Sequence, residues 1–489
     1  MTGPAPHAAR WMTPSDLAAF AALLVPAVPA RETLGPADVY VLGDGPDADA
    51  CATRLREGLE PFGLRVVPVP DPRPGVRLVA THRPGPPATW SGAEADELVA
   101  DVRAERLGHW AGLATAPPRL RTLHRPGSDS TGVVEFDCAE GTFVAKTGPE
   151  DVMLAEEEHV RRAHDGGGRI FPTPRGYDVR AGSATRVMDA VREAGLVETM
   201  FRRGQDGLLR ADPARLEALG DHLDVLTRWH GSTLADGEPE VAPYLYVDRF
   251  RDLPESEACA SLGARVLGRA AYAHAFETPV LLPDGSRADY RELVSWAEDT
   301  YPKWRPVRSS LVHGDIFTSN LMRGQDGEPR FIDPRSAWDG VAEAPAGRGD
   351  PVFDLGTLLH AISPMVTVLD ACERGVAAAL LPAGAPGDGP VDATAAVPVA
   401  DDPARAVLLG RLERLTADWG DAGVLTRLHL ASACSLLGWL KYAKVLRTPE
   451  AWWSVFLAAV ADLARARRVH DGLGAAFTHD STRKGGHPR

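Results

Sequence analysis

Leu311-Val312-His313-Gly314-Asp315-Ile316-Phe317-Thr318-Ser319-Asn320-Leu321-Met322, followed by Arg330-Phe331-Ile332-Asp333-Pro334, is the stretch that decides the fold of this 489-residue chain. Leu311-Val312 and Ile316-Phe317 flank His-Gly-Asp, and Phe331-Ile332 precedes Asp333. Apolar pairs of this kind anchor short extended segments in a core, so each acid emerges from a buried anchor into a loop. Gly324 to Gly327 supplies the turn of a hairpin, which is expected to bring Asp333 back to Asp315 and Asn320. A lone His-Gly-Asp is a weak signal. Joined to an asparagine five residues on and an apolar-Asp hairpin, it is a strong one.

The spacing from Asp315 to Asn320 matches the catalytic loop of protein kinases, where the aspartate takes a hydroxyl proton and the asparagine binds a metal. Moving the γ-phosphoryl group of ATP requires a nucleophile held in line and a divalent cation to neutralise spreading negative charge. Carboxylate and amide oxygens are hard ligands that suit Mg²⁺. On these residues the chain resembles the aminoglycoside phosphotransferase and choline kinase group, which shares the protein-kinase fold, over residues 119 to about 470. The ending Asp333-Pro334-Arg335, with Gly349-Asp350-Pro351-Val352-Phe353-Asp354-Leu355 downstream, is similar to a branch found among capsule and sugar-phosphate biosynthesis proteins. The resemblance implies Asp315 as the catalytic residue, Asn320 and Asp333 as Mg²⁺ ligands, and His313 and Asp354 as structural support. Asp354 would act through hydrogen bonds to the catalytic loop; a plain helix N-terminal acid is the alternative.

The same fold needs a lysine on its third strand to contact the ATP phosphates, and a helix glutamate to orient it. Val144-Ala145-Lys146 supplies the lysine in a chain with only five. Its partner falls among Glu156, Glu157 and Glu158. Glu157 stands three residues from both Leu154 and Val160, which puts it on the expected sheet-facing side, and it is the choice. The turn from Gly127 to Thr131 lacks three glycines, and Ser128 and Ser130 with their backbone amides would cover the phosphates instead. The segment beginning at Met188 and containing Ala190 is the expected hinge, binding adenine through its backbone. Trp229-His230 reads as core packing and capping. Arg335 reads as a holder of an anionic acceptor group or as an ion-pair partner of Asp350 or Glu343.

Working outward, the predicted class is α+β: a protein-kinase-like two-lobed fold with a small antiparallel β N-lobe over 119–191 and a mainly helical C-lobe over 192–489. A small α/β domain over 1–115 precedes it. Within that domain Asp38–Leu42, a helix over Ala48–Leu59 and Leu64–Val69 make a strand-helix-strand unit. Its Gly43, Gly45 and Ala48 imitate part of a dinucleotide fingerprint, but Pro46 interrupts the turn. Helices are expected over Ser256–Phe276, Asp289–Tyr301, Ala406–Trp419, Val424–Val445 and Ala451–Val469, with an exposed loop over Pro382–Pro403.

The composition narrows the partners. With 53 Lys and Arg against 67 Asp and Glu, the net charge is −14, a field that repels a phosphate backbone and an anionic membrane surface. Five dispersed cysteines without a Cys-x-x-Cys pair point to buried thiols in a reducing compartment. Leu17–Ala30 is broken by Pro26 and Pro29, and no run is expected to reach the ~20 apolar residues of a membrane span. The expectation is a cytoplasmic, ATP- and Mg²⁺-dependent phosphotransferase acting on a small hydroxylated acceptor: a sugar, amino sugar, antibiotic or amino alcohol. A nucleotide-binding pseudokinase that serves as scaffold or regulator is the alternative.

Overall fold

The computed structural model describes residues 38–472 except 70–75, 81–87, 90–91, 111–118, 125–129, 139, 167, 181–182, 283–284, 336–346, 382–390, 393–402, 420 and 443–444. Two compact units result, one from residues up to 161 with 172–190, the other from 162–171 with 191 onward.

In the first unit the β-rich run at the start forms strand β1 (Asp38–Leu42). Helix α1 (Pro46–Leu59) follows, with proline in its first turn, where a missing N–H costs nothing, and Asp47 and Asp49 near its positive end. Strand β2 (Arg65–Val69) lies parallel to β1; β3 (Arg77–Ala80) and β4 (Ala88–Thr89) extend the other edge antiparallel. After helix α2 (Gly92–Trp110) comes a five-stranded antiparallel sheet, β5 (Arg119–His124), β6 (Gly132–Cys138), β7 (Gly141–Pro149), β8 (Pro174–Arg180) and β9 (Ser183–Asp189). Its order is β5-β6-β7-β9-β8, and helix α3 (Glu150–Asp165) connects β7 to β8.

The segment read as a separate domain shares one core with this sheet. Phe62 stacks on Trp110 at 5.7 Å, Trp110 meets Phe136 at 6.3 Å, and Phe136 meets Phe143 at 6.0 Å. Buried Arg106 donates to Phe62 O and to Asp178. At Gly132 a Cβ would lie 2.1 Å from Pro61 Cα, so only glycine lets the two backbones meet. Ala116-Pro117-Pro118, between the two stretches, lies outside the described residues.

The second unit is mainly helical. Helices α4 (Gly220–Thr233), α5 (Glu257–Leu267) and α6 (Tyr290–Trp304) lead to strand β10 (Arg308–Leu311) and the hairpin β11 (Leu321–Arg323) and β12 (Pro329–Phe331). Then come α7 (Pro351–His360), α8 (Val366–Glu373), α9 (Pro403–Thr416), α10 (Val424–Trp439) and α11 (Pro449–His470). The expected helix over Ser256–Phe276 is divided at Gly268 into α5 and a short helix Arg269–Ala275. Within the expected loop at 382–403, Val391–Asp392 forms a strand parallel to Val280–Leu281.

Trp452 and Phe456 stack at 5.3 Å in the centre of the helical core, with Phe276 packed edge-on to both. Each such ring, fully buried, is worth about 1.5–3 kcal/mol. Contrary to the sequence expectation, one stretch, Pro351–Glu373, is long and apolar enough to cross a membrane. Its most apolar window is 94% buried, because α7 and α8 run through this core, kinked at Ser363-Pro364.

Candidate active site

The hairpin carries its polar residues as its apolar anchors dictate. Leu311, Val312, Ile316, Leu321 and Phe331 are buried, which holds the backbone on both sides of His313-Gly314-Asp315 and ahead of Asp333. His313 is itself fully buried; its Nδ1 accepts the amide N–H of Asp315 and its Nε2 donates to Ile332 O at 2.8 Å. That pair of bonds places the ring proton on Nε2. Three backbone bonds add to this: Arg335 N donates to His313 O, Ile332 N to Asn320 O, and Phe331 N to Ile170 O in the segment that enters this unit. The first two of these join the Asp315–Asn320 loop to the Asp333 loop directly.

Asn320 Nδ2 donates to Asp315 O at 2.9 Å, which turns its Oδ1 to the other side of the amide. Asp333 is exposed and adopts φ +58°, the sole positive φ of a non-glycine residue among the described residues. Such a conformation costs of order 1 kcal/mol even for aspartate and persists where surrounding contacts enforce it. Asp315 is half exposed, its Oδ2 3.9 Å from Arg335 Nη2. Of the two partners expected for that arginine, Asp350 pairs with Arg427, and Glu343 lies outside the described residues.

Beneath the loop lies Asp354. Its Oδ1 accepts Gly314 N and its Oδ2 accepts His313 N, both at 2.7 Å, while His230 Nε2 approaches Oδ2 at 2.9 Å. All three side chains are buried. Gly314 has φ +78°, the left-handed turn that aims two consecutive amides at one carboxylate. Asp350, not Asp354, caps the helix, accepting Val352 N at 3.1 Å.

In the first unit Lys146 is buried on β7 and its Nζ donates to Glu156 Oε2 at 2.7 Å. This corrects the choice of Glu157. The sequence argument took Leu154 as an inward position, but Leu154 is 44% exposed; the buried face of α3 runs through Met153, Glu156, His159 and Val160. Glu157 pairs instead with Arg186 Nε at 2.8 Å, and Glu158 with Arg161. Arg186 stands directly across from Lys146 on β9 and its Nη1 also reaches Glu156.

Of the remaining expected nucleotide contacts, Ser128 lies outside the described residues and Ser130 stands just before β6. Met188 is buried near the end of β9. The amides of Asp189 and Ala190 donate to Thr173 O and Thr142 O at 3.0 Å, so neither N–H is available to a base edge.

Among the described residues no group of three His, Cys, Asp or Glu side chains is spaced to hold a metal. The donor set present, one carboxylate and one amide oxygen on adjacent loops, fits a cation that takes most of its ligands from phosphate and water, as Mg²⁺ does.

The family model described as the APH phosphotransferase enzyme family matches residues 127–386, more than half of the chain. The chain belongs to that family. It is a small-molecule phosphotransferase with the α+β, protein-kinase-like architecture expected from the sequence. Among solved structures it is similar to a spectinomycin phosphotransferase, APH(9)-Ia, crystallised with ADP and spectinomycin (11% identity, 75% of this chain and 98% of that one, TM-score 0.39). It is likewise similar to the choline kinase LicA from Streptococcus pneumoniae (12%, 75% and 99%, 0.38) and to aminoglycoside phosphotransferase APH(4)-Ia (13%, 76% and 99%, 0.40). No curated protein matches the chain.

Several supports of this phosphotransferase are not evident from its sequence. His230 was read as packing, yet it braces Asp354. His222, on α4, meets Met322 O at 2.9 Å and so steadies β11; burial lowers its pKa. Tyr246 and Arg427 both donate to Asp350 Oδ2, at 2.7 and 2.6 Å, fixing the start of α7. Each is a long-range pairing, which spacing along the chain does not signal.

Proposed function

We propose that the chain transfers the γ-phosphoryl group of ATP, with Mg²⁺, to a hydroxyl of a small molecule. The observation that carries this reading is the binding of the Asp315–Asn320 loop to the Asp333 loop over one buried carboxylate, Asp354. Asp315 is the group that accepts the hydroxyl proton; its half exposure suits a residue that must meet an incoming acceptor. The acceptor oxygen then bonds to the γ-phosphorus as the bond to the ADP oxygen breaks. Asn320 and Asp333 would hold the metal. Bound Mg²⁺ supplies charge neutralisation at the phosphates and orients them for in-line attack.

Lys146, held by Glu156, is the cation for the α- and β-phosphates. Its support is geometric: a buried ammonium on a strand with a helix carboxylate at 2.7 Å. The Asp315→Ala variant tests the reading. It is expected to retain its fold and its affinity for nucleotide while ADP formation with any acceptor drops by about three orders of magnitude or more.

A further inference from the structure

Helix α3 sets two carboxylates over a pair of cations on the sheet of the first unit. Lys146 on β7 and Arg186 on β9 are directly opposed, and directly opposed residues on neighbouring strands share a face. The next pair along, Thr147 and Thr185, turns to the other face, where the two hydroxyls lie 2.9 Å apart. Both cations are buried, and buried Ala184 and Met188 flank Arg186 on its own face. Lys146 Nζ donates to Glu156 Oε2 at 2.7 Å, Arg186 Nη1 donates to Glu156 Oε1, and Arg186 Nε donates to Glu157 Oε2 at 2.8 Å. Two cations thus meet two carboxylates, and both oxygens of Glu156 are engaged.

Charge balance at Lys146 does not require the arginine. Glu156 alone neutralises the ammonium, and an apolar side chain between Ala184 and Met188 would bury there without losing any hydration of a charge. Replacing a buried ion pair by well-packed apolar groups is often neutral or stabilising, so stability alone is a poor reason for a guanidinium at this position. What the guanidinium adds is direction. Its planar fork reaches two carboxylates along fixed lines, where an ammonium in its place would hold one. Bound at Oε2 only, a glutamate swings about its broad terminal torsion. Bound at Oε1 as well, Glu156 is fixed between β7 and β9, and the bond it accepts from Lys146 fixes where the other two protons of that ammonium point.

We propose that Arg186 is a positioning residue of the nucleotide site: it locks Glu156 through the oxygen that Lys146 does not use, and so aims the Lys146 ammonium at the α- and β-phosphates of ATP. The proposal rests on the reading of Lys146 as the phosphate cation. Arg186 acts through Glu156 and Lys146, and not by touching phosphate.

The test is calorimetric binding of MgATP, MgADP and adenosine to the full chain in four forms: native, Lys146→Gln, Arg186→Met and the double variant, each checked for a cooperative melt. Arg186→Met should weaken MgATP and MgADP by about fivefold to tenfold and adenosine, which has no phosphate, by less than about twofold. In the Lys146→Gln background the same substitution should cost less than about twofold more, because the lysine it acts through is gone. If Arg186→Met does not fold, Arg186→Lys keeps the charge without the fork and carries the same measurements, with an expected loss of about threefold for MgATP. Adenosine weakened as much as MgATP, additive losses in the double variant, or native MgATP affinity in the arginine variant while Lys146→Gln weakens it, overturns the role of Arg186 alone. MgATP affinity unchanged in Lys146→Gln overturns the reading of Lys146 and this proposal with it.

Discussion

Lys146 Nζ and Glu156 Oε2 are 2.7 Å apart, and the second oxygen of that carboxylate is taken by Arg186. One glutamate therefore joins strand β7, helix α3 and strand β9. Removing one member of a buried charged pair leaves the other uncompensated, at a cost of about 3–5 kcal/mol. Glu156→Gln should reduce kcat/KM for ATP by about tenfold or more, through a misplaced Lys146. Glu157→Gln breaks only a bond to Arg186, and its kcat/KM should stay within about threefold of native. Steady-state kinetics on the two variants decide between them, and equal losses would contradict the pairing.

Asp354 accepts two amides and faces His230, so its charge is spread over three contacts. Asp354→Asn turns an NH₂ toward at least one of those amides. A loss of about 3 kcal/mol in unfolding free energy is expected, together with reduced kcat, because the loop it carries bears Asp315. Denaturant unfolding and kinetics on the same sample check both. His230→Ala should show the same effects in weaker form.

Asp333 separates backbone strain from ligand chemistry. Glycine takes φ +58° without penalty, so Asp333→Gly should leave the melting temperature unchanged or raise stability by up to about 1 kcal/mol. The same variant should lose Mg²⁺-dependent nucleotide binding, read by calorimetry with and without EDTA. Aspartate is thus expected at this position for its oxygens, at some cost to the fold.

His360 makes stability depend on pH. Burial pushes its pKa down to about 3, and its Nε2 must stay unprotonated to accept from Trp439. In the unfolded chain the ring titrates near 6.5, so the unfolded state binds more protons below that value. The contribution is full above about pH 6.5 and is lost as pH falls from there toward 3, at a slope of up to about 1.4 kcal/mol per pH unit. Buried His222 adds in the same direction. Melting temperatures measured between about pH 7.5 and about pH 5 should fall steeply, and less steeply in His360→Gln.

Gly132 tests the shared core of the first unit. Gly132→Ala puts a methyl 2.1 Å from Pro61 Cα, a backbone atom that cannot rotate away. Overpacking of this kind costs about 1–3 kcal/mol, so the cooperative melt of the whole unit should move down. If residues 38–110 folded independently of the sheet, only a separate minor transition would shift.

Much of this was legible in the chain. The anchors around His313, Asp315 and Asp333, the strand ending in Lys146 and the scarcity of lysine are local patterns, and local patterns give element type and side-chain direction. Three features were not. Choosing among Glu156, Glu157 and Glu158 depended on which face of α3 is buried, and exposed Leu154 misled the periodicity. The union of residues 38–110 with the sheet rests on Phe62, Trp110 and Phe136, which lie far apart in sequence. The brace from His230 to Asp354 spans 124 positions, and no spacing rule reaches that far.

The account stands or falls on Asp315 as the group that receives the acceptor's proton. The most direct measurement compares ADP formation by native chain and Asp315→Asn, in the presence of Mg²⁺ and an accepted hydroxyl compound, with ATP affinity titrated alongside. A fall in kcat of about a thousandfold with ATP affinity retained is the predicted result. Undiminished turnover in the variant would contradict it.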